Sequence, residues 1–367
     1  MTNMKTKGIN MSWWKPDLAR AFATGCLLIS GAVLPYDIGA QAAEPPGKYA
    51  PVPIIFDTDI GNDVDDVLAL ALLHALQTRG ECKLLAVTVT KPDELAGPFV
   101  DVLNSFYGRP DIPIGFTRAH LTNEPSKFLK LADAIDDGHP RYPHRLKKSS
   151  DAPEATRLLQ RVLAQQPDSS VVMVQVGYFS NFAALLDTAP DENSKLSGAD
   201  LVRQKVKFLS VMAGSFKMKE RFHEYNVVQD LAASKKLAAR WPTPIVWSGF
   251  EIGIAVPFPA LSILRDFSYV PHHPAAEAYF LYEPPPHERP TWDLTSALYA
   301  VLTDRNYFGL SEPGQVVVEE DGFTKFTPKP DGRDRYLTLD EKQIVRLKEA
   351  LVQLSSQPPP GLKEPAH

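Results

Sequence analysis

A basic surplus is missing from this sequence: 39 Lys and Arg stand against 44 Asp and Glu, a net charge of −5 at neutral pH. A nucleic-acid surface needs a positive field, so a polynucleotide partner is not expected. Cysteine is nearly absent, with two in 367 residues. Cys26 falls in a leader-like N-terminus, so Cys82 has no intramolecular partner and takes the default role of a small buried thiol. The most membrane-like run, residues 21–34 (AFATGCLLISGAVL), falls short of the about 20 apolar residues a membrane span needs. No internal repeat is visible.

What that run does have is context. Lys5, Lys7, Lys15 and Arg20 precede or open it, and the small residues Ala40 and Ala42 follow it, the three parts of a secretory signal. Cleavage is expected near Ala42 or Ala43, with Met11 as an alternative start that would give a signal of more ordinary length, and with export to the periplasm or beyond the cell and no stable membrane span afterwards. Cys26 lacks lipobox neighbours, which argues against a lipoprotein. Residues 1–42 hold four basic and two acidic residues, net +2, so taking +2 from −5 leaves −7 for the rest. That mildly acidic body suits solubility and a cation-dependent site. Residues 1–43 are read as signal and lead-in, and 44–367 as a single domain. Its 44% hydrophobic and 23% charged residues fit a globular chain.

Residues 54–76 read IIFDTDIGNDVDDVLALALLHAL. A buried strand over 54–56 is followed by a helix from 67 to about 78, and Asp57, Asp59, Asp63, Asp65 and Asp66 lie between them or at the junctions. Five carboxylates so close repel one another unless a cation sits among them, and the carboxyl end of a strand is where open α/β sheets place ligands. An EF-hand loop counted from Asp57 needs Gly at its sixth position and Glu at its twelfth, where this chain has Asn62 and Leu68. Two other readings stay open: a solvated acidic turn, and an aspartate-nucleophile phosphatase attacking through Asp57.

Further strands are expected over 83–89, 112–114, 170–176, 206–212 and from 243, with helices over 99–107, 154–165, after Asn181, and over 275–282, 294–302 and 339–354. Residues 315–326 alternate like a hairpin turning at Asp321-Gly322. The polar stretch 117–151, with His120, His139 and His144, is either a flap or a long surface loop. Alternating strands and helices predict an α/β fold, a mainly parallel open sheet with helices on both faces.

Four segments then stand in order: DTDIGNDVDD at 57–66, VGYFSN at 176–181, VMAG at 211–214 followed by HEYNVVQD at 223–230, and TWD ending at Asp293. In these the chain resembles the nucleoside hydrolase family, in its inosine-uridine-preferring domain, across essentially the whole mature length. The resemblance implies hydrolysis of a ribosyl C–N bond with one bound Ca²⁺. It implies Asp59, Asp66, Asp293 and the carbonyl of Val176 as metal ligands, which suits an ion that takes 6–8 oxygens. Asp65 resembles the general base that activates water, but many family members have two fewer residues before the Asp pair, so Asp63 is the second candidate. Glu224 and Asn226 resemble ribose ligands, and Met212 a floor under the sugar.

The position before the last metal Asp, often His, is Trp292, and the position at the end of the second strand, often Asn, is Asp93. Purine-preferring members similarly carry Trp and Asp there, and Asn where this chain has Asn62. Met218 stands about where the family has an Asn for the 5′-hydroxyl. Trp292 has no proton to give near neutral pH; it either stacks on the base, with Asp93 as a hydrogen-bonding partner, or is a wall of the pocket. The implied reading is an exported calcium-dependent ribonucleoside hydrolase, purine-leaning, with a small-molecule nucleoside as partner and a homo-oligomer left open. The alternative class is a non-catalytic calcium- and sugar-binding protein on the same scaffold.

Overall fold

Alternation in the first strand dictates the layers. In β1 (Val52–Thr58) Ile54 and Phe56 face one hydrophobic core and Ile55 the other, as the two-residue period of a strand requires. Both faces must therefore be covered. The computed structural model describes residues 50–362 except His120 and Lys219, so the signal expected over 1–43 lies outside the described residues. Among those described, no helix is long and apolar enough to cross a membrane.

β2 (Cys82–Val89) and β3 (Ile114–Phe116) extend the sheet on one side of β1, all parallel. The stretch 117–151 carries two short 3-10 turns and a small ribbon of its own, β4 (Ile135–Asp136) with β5 (His139–Pro140). β6 (Val171–Gln175), β7 (Val206–Met212) and β8 (Ile245–Ser248) build out the other side of β1, again parallel. The last third adds β9 (Gly309–Leu310), β10 (Gly314–Val318), β11 (Thr324–Pro328) and β12 (Asp334–Thr338). β12 lies parallel to β8, and β9, β10 and β11 attach antiparallel beyond it. The result is one mainly parallel ten-stranded sheet.

One core packs the helices Asp65–Thr78, Ala96–Phe106, Pro274–Tyr282, Trp292–Val301 and Glu341–Ser355 on the Ile54 face. The other packs Ala155–Ala164, Ser180–Leu185, Gly198–Lys205 and Leu231–Arg240 on the Ile55 face. Cys82 is buried, with its thiol 3.6 Å from the carbonyl of Leu73. The closing helix starts two residues later than its apolar pattern, because Asp340 and Gln343 form a capping box. The third strand also begins two residues late, after Pro113, whose ring nitrogen has no hydrogen to give a ladder. β12 is an addition to the expected strands, and it is what anchors the hairpin to the sheet.

From β1 the chain first steps to β2 and β3, then returns to lay β6 on the opposite side of β1. This reversal opens a crevice at the carboxyl ends of β1 and β6, the place where doubly wound sheets bind ligands. The acidic loop follows β1 and Val176 follows β6.

Candidate active site

Asp65 and Asp66 form the first turn of one buried helix, and Asp293 lies in the first turn of another. The two helix starts meet: the Asp293 N–H donates to Asp65 Oδ2 at 3.1 Å, and Thr58 Oγ1 donates to Asp66. Asp65, Asp66 and Asp293 each offer an oxygen within 4.8 Å of the other two. Burial first, and neighbouring carboxylates second, push all three well above the usual carboxylate range. Helix starts favour negative charge, but a macrodipole contributes at most about 2 kcal/mol and does not offset a buried acidic trio. An all-oxygen, anionic set of this kind fits a hard divalent cation.

The surrounding cavity has a volume of about 300 Å³. Its wall includes Asp59, whose carboxylate takes the amide of Asn62 at 2.7 Å and which burial pushes up to about 6. Asn62 also donates to the Tyr178 hydroxyl at 2.6 Å, and its Oδ1 accepts from the buried ammonium of Lys91. The Lys91 ammonium in turn holds the Glu124 carbonyl at 2.7 Å, tying the 117–127 stretch to the site. The Val176 carbonyl accepts from Asn226 Nδ2 at 2.7 Å, and Met212 lies under the same amide, its sulfur 3.3 Å away. Glu224 caps the helix Tyr225–Gln229 and accepts from the N–H groups of Asn226, Val227 and Gly214. Burial nevertheless raises its carboxyl to about 7.

Several expected residues sit differently. Asp65, expected to be the base, belongs to the acidic trio by distance, whereas Asp59, expected to be a ligand, lies outside it. Asp63, the alternative base, is held by Arg289 through Nε and Nη2, with the Nε contacts at 2.9 and 3.0 Å. Both of its carboxylate oxygens are thus engaged by the guanidinium. Asp93 is outside the cavity: β2 ends at Val89, Lys91 takes the inward position, and Asp93 turns to the Leu95 N–H at 2.9 Å and to Asn123. Met218 is exposed and does not line the cavity. Asp57 is fully buried on Thr88 and Asn181, so it cannot be the phosphatase nucleophile. His139 is exposed on the small ribbon and His144 lies away from the cavity; His120 is outside the described residues. Trp292 does line the cavity, but its indole N–H donates to the Phe250 carbonyl at 2.9 Å and its ring stacks on Phe250 at 5.2 Å.

The loops after β1 and β6 approach so closely that a Cβ on Gly177 would lie 2.5 Å from the Asp59 nitrogen and 2.5 Å from Thr90 Oγ1. Gly177→Ala is therefore expected to destabilise the fold by about 1–3 kcal/mol, as overpacking does. Thermal denaturation checks this, and an unchanged Tm would show that the two loops part easily.

The inosine-uridine preferring nucleoside hydrolase model matches residues 54–324, more than half of the 367-residue chain. The chain belongs to that family. It is therefore an enzyme of the N-glycosyl hydrolase class, and the matched span holds every residue of the cavity wall named above. Among solved structures the fold is similar to that of the inosine-uridine preferring nucleoside hydrolase of Bacillus anthracis, at 17% identity over 83% of this chain and 99% of that one, TM-score 0.62. A plant nucleoside hydrolase aligns at 20% identity over 84% of this chain and 100% of the other, TM-score 0.63. A purine-preferring ribonucleoside hydrolase from Gardnerella vaginalis aligns at 17% identity over 83% and 99%, TM-score 0.62. No curated protein matches the sequence significantly.

Proposed function

We propose that the chain hydrolyses the N-glycosidic bond of ribonucleosides, purine ribonucleosides foremost, with one Ca²⁺ held by Asp65, Asp66 and Asp293 and with Asp59 as the general base. The observation that carries this is the grouping of the three carboxylates within 4.8 Å beside Asp59, a further cavity carboxylate oriented by the Asn62 amide. When bound, the divalent ion supplies Lewis-acid polarisation of the oxygens it holds.

The chain's own groups do the rest. Asp59, oriented by the Asn62 amide, takes a proton from the attacking water. Glu224 and Asn226 are anchored at one helix start and bind ribose hydroxyls, with Met212 under the sugar. The Val176 carbonyl keeps a second lone pair beside its bond to Asn226 and is the further candidate ligand. Tyr225, Tyr282, Phe250 and Trp292 make the remaining wall largely aromatic, which suits a flat base. The purine preference rests on Asn62 and Trp292 alone, since Asp93 lies elsewhere. The leader-like residues 1–43 support export, which fractionation of expressing cells tests.

The deciding experiment is base and ribose release by the purified protein from inosine, adenosine, guanosine and uridine, with calcium and with chelator. Turnover of inosine with calcium and its loss on chelation are expected. No release from any of the four with calcium present would overturn the reading.

A further inference from the structure

Nucleoside hydrolysis puts a demand on the departing base that the residues discussed so far do not meet. The water oxygen bonds to C1′ and its proton passes to the general base. The C1′–N9 bond breaks, and its electron pair goes to the purine ring, spreading onto N7 and the six-position oxygen. The purine anion finally takes a proton from solvent, and the general base returns its own to solvent. Until that proton arrives, the departing ring is stabilised only by donors and positive charge placed beside it.

Trp292 is badly placed for this. Its one N–H is already given to the Phe250 carbonyl, and its ring is engaged by Phe250 and by Arg289. Arg289 is different on every count. It is the one cationic side chain among the described residues that line the cavity. Its Nε and Nη2 are fixed on Asp63, and its guanidinium carbon lies 5.0 Å from the Tyr282 ring centroid and 5.0 Å from that of Trp292. The plane is thus held on one edge by a carboxylate and flanked by two aromatic rings. Its remaining nitrogen, Nη1, makes no hydrogen bond to any described residue, and the side chain keeps 20% of its surface exposed.

Resting on the hydrolase reading above, we propose that Arg289 is the leaving-group residue. Its free Nη1 donates to the departing purine while its charge offsets the developing anion, and Asp63 and the two rings aim it. A guanidinium does not deprotonate in proteins, so Arg289 stabilises the anion and does not act as the acid that protonates it. This also assigns Asp63 its part, as a positioning residue for Arg289.

The test compares two substrates in several variants. Inosine needs its leaving group stabilised; 4-nitrophenyl β-ribofuranoside releases a phenolate that leaves unaided. Arg289→Lys keeps a cation against Asp63 but loses the planar fork. The double variant Asp63→Asn with Arg289→Gln replaces the ion pair by a neutral amide pair, in case either single change disturbs folding. In whichever of these keeps the wild-type Tm, kcat/KM for inosine should fall about 100-fold, the scale for loss of one such donor, while the aryl riboside loses no more than about threefold. Trp292→Phe keeps an aromatic wall and should lower the inosine-to-aryl-riboside ratio far less than either Arg289 variant. Equal losses on both substrates, or an unchanged rate on inosine, would overturn the role. Failure of the wild-type protein on all four nucleosides would instead sink the hydrolase reading, and this role with it.

Discussion

Asp59→Asn should lower kcat for inosine by about 10²–10⁴, the ordinary cost of losing a general base, while calcium still binds at wild-type stoichiometry. Asp66→Asn and Asp293→Asn should lose the calcium and the activity together. The difference follows from position. Asp66 and Asp293 are buried at two helix starts and share one small volume with Asp65, so neutralising one of them removes a ligand the other two cannot replace. Asp59 stands beside that trio, close enough for its charge to act on Asp66 and Asp293, but outside the three-carboxylate grouping, with one oxygen held by Asn62 and the Asn62–Lys91 pair behind it. Asparagine at 59 keeps the shape and loses only the capacity to accept a proton. Asp65→Asn separates the two assignments. Loss of calcium places Asp65 with the ligands, as its distance to Asp66 and Asp293 indicates. Retained calcium with a collapsed kcat in Asp65→Asn, together with calcium loss in Asp59→Asn, would restore the order implied by family resemblance. Isothermal titration and metal analysis on the same preparations distinguish the outcomes.

That ambiguity shows where sequence reasoning reaches its limit. The acidic loop is legible because its charges are local: carboxylates crowded between a buried strand and a buried helix need a cation whatever the tertiary fold. β1, β2, β6 and β7 are legible because parallel strands buried on both faces read as continuous apolar runs. β12 escapes notice because Asp334, Arg335 and Thr338 break its apolar pattern, and only its pairing with β8 makes it a strand.

Which carboxylates gather is a different kind of question. Asp293 reaches Asp65 across 228 residues, and the angle between two helix starts decides whether Asp59 or Asp65 joins it. Arg289 sits in PPPHERP, which reads as a stiff turn, and its partner Asp63 is 226 residues away. Lys91 and Asp93 are two residues apart, and a strand that ends at Val89 turns one toward the site and the other away. The four motif segments located the site; the roles within it depend on side-chain directions that no local pattern encodes.

Calcium should raise Tm, and the rise should grow with pH. Without a cation, burial raises Asp59 to about 6, Glu224 to about 7 and Asp57 to about 8, and pushes Asp65, Asp66 and Asp293 in the same direction. Unfolded, these groups ionise at 3.8 for Asp and 4.5 for Glu. Between about pH 4 and pH 8 the folded, metal-free chain therefore keeps protons that the unfolded chain has released, and linkage makes stability fall as pH rises through that window. Calcium needs the ionised forms of Asp65, Asp66 and Asp293 and displaces the protons that burial makes them keep, so its affinity and its stabilisation increase as pH rises above the unfolded Asp value of 3.8.

Buried His74 and His273 act oppositely. Burial lowers both to about 3, so below their unfolded value of 6.5 the unfolded state takes up protons and stability falls as pH falls. They lie outside the cavity wall and contribute alike with and without the ion, so the difference in Tm between calcium and chelator isolates the carboxylates. At 100-fold excess over Kd the ion contributes about 2.7 kcal/mol, roughly 4 °C for a domain of over 300 residues. Scanning calorimetry at pH 5, 6.5 and 8 measures it, with Asp66→Asn as the control in which the difference should vanish. A calcium shift that shrinks from pH 5 to pH 8, or that survives in Asp66→Asn, would place the ion somewhere other than among Asp65, Asp66 and Asp293.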